Sequence, residues 1–202
     1  KDVILTIIGQ TGVDGATYRA MEFGGDGVAS LSIEDRMTIT NMAIEAGAKN
    51  GIFPADEQTR AFVDAACEAN GTTRPYECLA ADADAAYISR CEIDLSAMQP
   101  VVARPPDPSG LAKVRDCSDV AVDRVYIGSC TGGKVSDFDA FAAVVRGRTV
   151  AVDTFGVPST PAVLDHLTTA TIGDKTLWDI LVDAGVTMTA NPGCAACLGG
   201  PT

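Results

Sequence analysis

Three cysteines stand out by their setting. Cys130 lies in Ile127-Gly128-Ser129-Cys130-Thr131-Gly132-Gly133, and Cys194 and Cys197 form a C-x-x-C pair in Asn191-Pro192-Gly193-Cys194-Ala195-Ala196-Cys197-Leu198-Gly199-Gly200. Thiolates on glycine-rich loops suit a cluster, because small residues let backbone N–H groups approach its sulfides and offset its negative charge. A structural zinc site or an electron-transfer cluster takes four protein ligands, so three thiolates imply one metal position open to water or substrate. Two other chemistries stay open on the residues alone. The single histidine, His166, would complete a Cys-Cys-Cys-His zinc site, although its neighbours predict a helix rather than a strand-end loop. The C-x-x-C pair would serve as a redox dithiol, but Gly199-Gly200-Pro201 follows it in place of a helix whose N-terminus would lower a thiol pKa. Of the other cysteines, Cys67 is expected in a core, and Cys78, Cys91 and Cys117 have no recognisable partner.

A second constellation is polar. Thr38, Asn41 and Glu45 recur at i, i+3 and i+7, so an amide and a carboxylate four residues apart point from one face of a helix. Periodicity alone favours a solvated face; the alternative is a pair directed at a ligand. The turn Gly24-Gly25-Asp26-Gly27 lacks the spacing and the lysine of a nucleotide-binding loop and reads as a plain turn.

The elements that must carry these groups are legible in part. Ser32 and Asp35 form an S-x-x-D capping box that starts a helix over 33–46, with Ile39, Met42, Ala43 and Ala46 on its apolar side. A short helix at 2–8, a strand within 17–23, a strand at 51–53 and a helix begun by Asp56, with Phe62, Val63, Ala66 and Cys67 facing the core, complete the first part. Residues 72–103 are irregular, with a helix expected at 82–89 and a strand at 90–95. Arg104-Pro105-Pro106-Asp107-Pro108-Ser109-Gly110 is the one clear linker, since its prolines fit neither helix nor sheet. The second half alternates: a strand at 124–127, a helix capped by Ser136 and Asp139, a strand at 149–154, a helix from 161, a helix at 174–184 and a strand at 186–189. Such βαβα order implies a parallel sheet covered by helices, with functional groups in the loops after the strand C-termini. The expected fold is α/β with two lobes, 1–104 carrying the Asn41/Glu45 helix and 105–202 carrying the cysteines, each built on a largely parallel sheet.

Bulk composition narrows the class. With 202 residues, 47% of them hydrophobic, the chain can bury a core. The absence of a signal peptide or a long apolar run predicts a cytoplasmic protein with no membrane partner. An excess of 27 acidic over 15 basic side chains, net −12, repels phosphate backbones and excludes a nucleic-acid partner. Seven cysteines, an odd number without a secretion signal, are expected as reduced thiols. Lys1 in place of Met suggests a processed chain or an excised piece.

In order and spacing, Asp14-Gly15-Ala16-Thr17-Tyr18-Arg19-Ala20-Met21-Glu22-Phe23, then Arg36-Met37-Thr38-Ile39 leading to Asn41-Met42-Ala43-Ile44-Glu45-Ala46-Gly47-Ala48, then Gly128-Ser129-Cys130-Thr131 and the final C-x-x-C resemble the aconitase superfamily. The resemblance spans nearly the whole chain and is strongest to the isopropylmalate dehydratase and homoaconitase large-subunit branch. It implies the aconitase iron–sulfur domain fold and a [4Fe–4S] cluster held by Cys130, Cys194 and Cys197, in a hydro-lyase acting on a hydroxy di- or tricarboxylic acid. It further implies that Asn41 and Glu45 face the cluster and the substrate hydroxyl. Gly132 stands where relatives usually carry an asparagine. The family's remaining catalytic loops, its substrate-binding arginines and a swivelling domain, which is a separate small subunit in the dehydratases, are the expected partners, and the piece alone is expected to be inactive. The competing expectation is a non-catalytic metal-binding or interaction domain that kept the fold.

Overall fold

The computed structural model describes residues 1–72 and 75–194. The chain divides into two compact units, Lys1–Cys117 and Ser118–Thr202.

The first unit begins with helix α1 (Asp2–Thr11), which runs past the expected end at residue 8. The helix forms because Ile4, Ile7 and Ile8 share one face, and that face is buried against Ala16, Ile39, Ala43 and Ala46. Strand β1 (Ala20–Glu22) pairs in parallel with β2 (Asn50–Ile52), and helix α2 (Ile33–Asn41) connects them. The capping box is present: Asp35 N–H donates to Ser32 Oγ at 3.1 Å, and Ser32 N–H donates to Asp35 Oδ2 at 3.1 Å. The α-helix does not reach residue 46. It gives way to a 3-10 turn over Met42–Ala46, closed by Gly47 at φ 82. A side chain on Gly47 would press on the Val13 carbonyl oxygen and on Thr17, so glycine is required there on two counts.

Helix α3 (Glu57–Ala69) starts where Asp56 accepts from Thr59 N–H at 3.0 Å. Its expected core face is not covered: among its residues Phe62 is 47% exposed, Val63 and Cys67 are half-buried and Ala66 is exposed. Amphipathy shows that a face favours burial but not that the unit supplies a surface for it. Polar groups hold α3 instead. Arg36, only 4% exposed, forks onto Asp56, with Nη1 to Oδ1 and Nη2 to Oδ2 both 2.8 Å, and also donates to the Val28 and Leu31 carbonyl oxygens. The guanidinium's hydrogen bond to Asp56, followed by the Thr59 N–H, holds the Asp56 carboxyl well below the ordinary carboxylate range. A carboxyl depressed in the folded state stabilises fully above its unfolded pKa, and the effect is lost as pH falls through the folded value. Asp56→Asn is therefore expected to flatten the stability of the first unit against pH below about 4, as read by denaturant unfolding across an acid series. Arg36→Met should lower stability by about 2 kcal/mol at neutral pH, since charged hydrogen bonds are lost together. An unchanged unfolding midpoint in Arg36→Met would contradict this account.

Residues 75–94 form neither the helix expected at 82–89 nor the strand expected at 90–95. The alanine- and aspartate-rich run 82–86 has no apolar face to bury and makes only a turn, Ala85 N–H to the Asp82 carbonyl. The proline-rich segment is not a linker between lobes. It is the loop of an antiparallel hairpin, β3 (Val101–Ala103) with β4 (Leu111–Lys113), closed by Arg104 N–H to the Gly110 carbonyl at 2.7 Å. Prolines that cannot pair in a sheet can still turn one, so the division falls after Cys117. The first unit thus holds a two-stranded parallel pair and a hairpin rather than one largely parallel sheet.

The second unit matches its expected alternation more closely. Its parallel sheet has the order β5 (Arg124–Ile127), β6 (Asp153–Gly156), β9 (Thr187–Met188). A one-turn helix α4 (Ser129–Gly132) and helix α5 (Val135–Val145) follow β5, and α6 (Pro161–Thr169) follows β6. A small hairpin, β7 (Thr171–Ile172) with β8 (Lys175–Thr176), leads into α7 (Leu177–Asp183). Phe138, Leu167 and Leu181, from α5, α6 and α7, meet in a fully buried core. Helix α5 begins one residue before the expected Ser136 cap: Lys134 is the cap residue, and its N–H donates to Asp137 Oδ2 at 3.2 Å. Strand β6 starts later than the expected 149, and residues 175–176 pair as β8 before α7 begins.

Candidate metal centre

The second unit places its cysteine loops on neighbouring strand ends. Cys130 follows β5 and Cys194 follows β9, on either side of the central strand β6. Because the three strands are parallel, all their exits lie at one edge of the sheet. The loop leaving β6 joins the other two: Ser159 N–H donates to the Gly133 carbonyl at 3.0 Å, and Gly193 N–H donates to the Pro158 carbonyl at 2.9 Å. Pro158 is fully buried, which makes this middle loop a rigid spacer. The result is a contact of 3.8 Å between Cys130 Sγ and Cys194 Sγ. That distance is far beyond the roughly 2.05 Å of a disulfide, and both side chains are exposed. Cys197 lies outside the described residues.

Close backbone approach explains the glycines. A Cβ on Gly128 would sit 2.8 Å from the Tyr126 ring and 2.9 Å from the Val157 carbonyl oxygen, and one on Gly133 would sit 2.7 Å from the Ser129 carbonyl oxygen. Between them Ser129 takes a left-handed φ of 67 and is buried, with Oγ 3.0 Å from Thr131 Oγ1. A non-glycine residue in that region is costly and persists only where its surroundings over-determine it. Here they do so at the residue that aims Cys130.

Sequence reasoning missed the group that fastens this turn. Lys134 is 8% exposed, and its Nζ donates to the Cys130 and Thr131 carbonyl oxygens, each at 3.0 Å. Asp137 Oδ2 lies 3.8 Å from the same ammonium. A lysine four residues after a cysteine in a glycine-rich loop was the available signal, since i, i+4 spacing brings the ammonium back to the carbonyls of the preceding turn. The middle loop carries no titratable or thiol group to draw attention, and only the parallel sheet reveals it as the spacer.

His166 does not join the thiols. It sits on α6, and its Nε2 is 2.9 Å from Asp139 Oδ1 on α5. Among the described residues no three histidine, cysteine or acidic side chains form a metal-holding group. Among the described residues the side chains that meet at the sheet edge are the sulfurs of Cys130 and Cys194, and soft, exposed sulfur ligands on glycine-rich loops fit an iron–sulfur cluster better than a hard cation. The remaining described cysteines lie in the first unit. Cys67 is only half-buried rather than in the core, Cys91 Sγ donates to Gln10 Oε1 at 3.1 Å, and Cys117 Sγ accepts from Arg104 Nε at 3.3 Å.

The polar pair of the first unit is altered by the change of helix type. Asn41 is the last α-helical residue and is exposed, whereas Glu45 falls in the 3-10 turn and is half-buried. Three residues per turn rotate each step by about 120° in place of about 100°, so the i, i+4 alignment of a continuous α-helix does not apply. Glu45 Oε2 is buried with no hydrogen-bond partner among the described residues.

No helix among the described residues is long and apolar enough to cross a membrane. The sequence pattern of the aconitase family (aconitate hydratase) matches residues 1–202. The chain is 47% identical over 206 residues to the chloroplastic 3-isopropylmalate dehydratase large subunit of Arabidopsis thaliana, covering 100% of this chain and 40% of that protein. It is 45% identical over 202 residues to the 3-isopropylmalate dehydratase large subunit of Acetivibrio thermocellus, covering 99% and 46%. It is 41% identical over 199 residues to the probable methanogen homoaconitase large subunit of Methanosarcina mazei, covering 98% and 48%. The chain spans less than half the length of these curated relatives. A family match over every residue, with its thiols gathered at the C-terminal edge of a parallel sheet, places this α/β chain in the aconitase family.

Proposed function

We propose that this chain is the cluster-bearing part of a [4Fe–4S]-dependent hydro-lyase that interconverts hydroxy di- or tricarboxylic acids, with 3-isopropylmalate as the substrate. The observation that carries the reading is the meeting of Cys130 and Cys194 at the exits of β5 and β9. Cys130, Cys194 and Cys197 would hold the cluster, which supplies a Lewis-acidic iron for the substrate hydroxyl. The chain's own residues then have separable duties. The β6 exit loop keeps the two described cysteine loops at a fixed spacing through Gly133 and Gly193. Glu45 is assigned the hydrogen bond to the departing hydroxyl, and Asn41, being neutral, steadies substrate without adding charge. A buried carboxylate oxygen left unpartnered costs more than the roughly 1–3 kcal/mol of a neutral polar group, and a substrate hydroxyl is the kind of donor that Glu45 Oε2 lacks within the described residues. The large-subunit segments that the relatives have beyond this match, together with a small subunit, are assigned the proton-abstracting base and the carboxylate-binding arginines.

The test is anaerobic reconstitution with ferrous iron and sulfide, followed by absorbance and metal analysis. The expected result is a cluster signal with iron and sulfide in equal amounts. Stoichiometric zinc with no cluster signal would overturn the proposal. Assay of the complete gene product with its small subunit, comparing isopropylmalate with homocitrate, then decides the substrate.

A further inference from the structure

We infer that Lys134 is a positioning residue for the cluster: its buried ammonium fixes the Cys130 turn and supplies positive charge beside the thiolates. The inference rests on the cluster reading above and extends it to a residue outside the ligand set. Four observations meet at this side chain. Lys134 is 8% exposed, in a chain whose net charge is −12 and whose other cations are mostly solvated. Its ammonium donates to two carbonyl oxygens of the cysteine turn itself, those of Cys130 and Thr131. Ser129, just before the cysteine, is held at a left-handed φ that an unfastened turn would relax. Asp137 Oδ2 lies 3.8 Å from the ammonium and accepts from Lys134 N–H at 3.2 Å, which ties the lysine's backbone to the first turn of α5.

The chemistry gives a reason for a cation there. Three thiolates and a sulfide-bearing cluster concentrate negative charge at the end of the sheet, and groups just outside the ligands tune both retention and potential. A lysine has three donors and no acceptor, so it can span two carbonyls while its charge stays within the cysteine turn. Replacing it with a donor that lacks the charge separates the two contributions.

The experiment uses the chain reconstituted with ferrous iron and sulfide, in wild type, Lys134→Met, Lys134→Gln and Lys134→Arg, with Lys175→Met as a control. Lys175 is exposed and paired with Asp183, so its loss removes a cation from the same unit away from the cysteines. Iron and sulfide per chain, the rate of cluster loss to a chelator, the reduction potential and the circular-dichroism melt of the cluster-free chain are measured. Lys134→Met is expected to lose the cluster about 10–100-fold faster than wild type, Lys134→Gln to shift the potential to more negative values, and Lys134→Arg to recover most of the retention. Should the methionine variant fail to fold, the glutamine variant decides on potential alone. Wild-type retention in a folded Lys134→Met chain overturns the inference, and so does a Lys134→Gln cluster at wild-type potential. A wild-type chain that takes up no iron or sulfide under these conditions overturns the cluster reading and this inference with it.

Discussion

Serine at Cys130 or at Cys194, introduced into the complete enzyme, is expected to reduce cluster content to background and turnover by more than about 100-fold, the upper end of what losing a supporting residue outside the ligand set costs. The two sulfurs touch at 3.8 Å, and each leaves a different strand of the same sheet, so neither loop can substitute for the other. A serine hydroxyl matches the shape of the thiol but stays protonated at neutral pH, whereas the cysteine thiolate is a soft anionic ligand. The fold should survive, because both side chains are exposed and neither contributes to the core around Phe138, Leu167 and Leu181. Cys91→Ser is the matched control: that thiol is exposed in the first unit and donates to Gln10, so cluster content and turnover should stay at wild-type values. Iron and sulfide analysis with a coupled turnover assay reads all three variants. A Cys130→Ser enzyme with a full cluster and undiminished turnover would remove Cys130 from the centre.

Glu45→Gln is expected to separate chemistry from cluster assembly. General acid–base groups contribute about 100-fold or more to a rate, so turnover should fall by at least about that factor, while iron and sulfide content stays within error of wild type. Glutamine keeps the size of the side chain and one carbonyl acceptor but cannot hold or return a proton. The 3-10 turn also predicts asymmetry within the pair. Asn41 is exposed at the end of α2, whereas Glu45 buries an oxygen that no described residue satisfies, so Asn41→Ala should have the smaller effect on turnover. Equal turnover in Glu45→Gln and wild type, each with a full cluster, would reduce Glu45 to a structural residue. Loss of cluster in the glutamine variant would assign it to assembly in place of chemistry.

The local sequence was sufficient wherever a short-range signal and the global fold agree. The Ser32 to Asp35 capping box fixed the start of α2 because both of its bonds lie within one turn. Ile4, Ile7 and Ile8 gave α1 because one helical stripe meets the core, and strand–helix alternation after residue 118 gave the parallel sheet. Parallel order alone placed the exits of β5 and β9 at one edge, so a common location for Cys130 and Cys194 was readable before any distance was known. The tertiary structure decided what depends on partners distant in sequence. Whether the apolar side of α3 is covered, and whether prolines 105–108 separate lobes or turn a hairpin, depend on surfaces and pairings that no local window contains. The same holds for the end of α2, where the backbone tightens into a 3-10 turn to bury Ala43 and Ala46 against α1 and thereby turns Glu45 out of line with Asn41. Lys134 and Pro158 belong to this second class. Their importance comes from buried hydrogen bonds that fasten one strand-end loop and tie it to its neighbours, a relation created only when three parallel strands bring those loops to one edge.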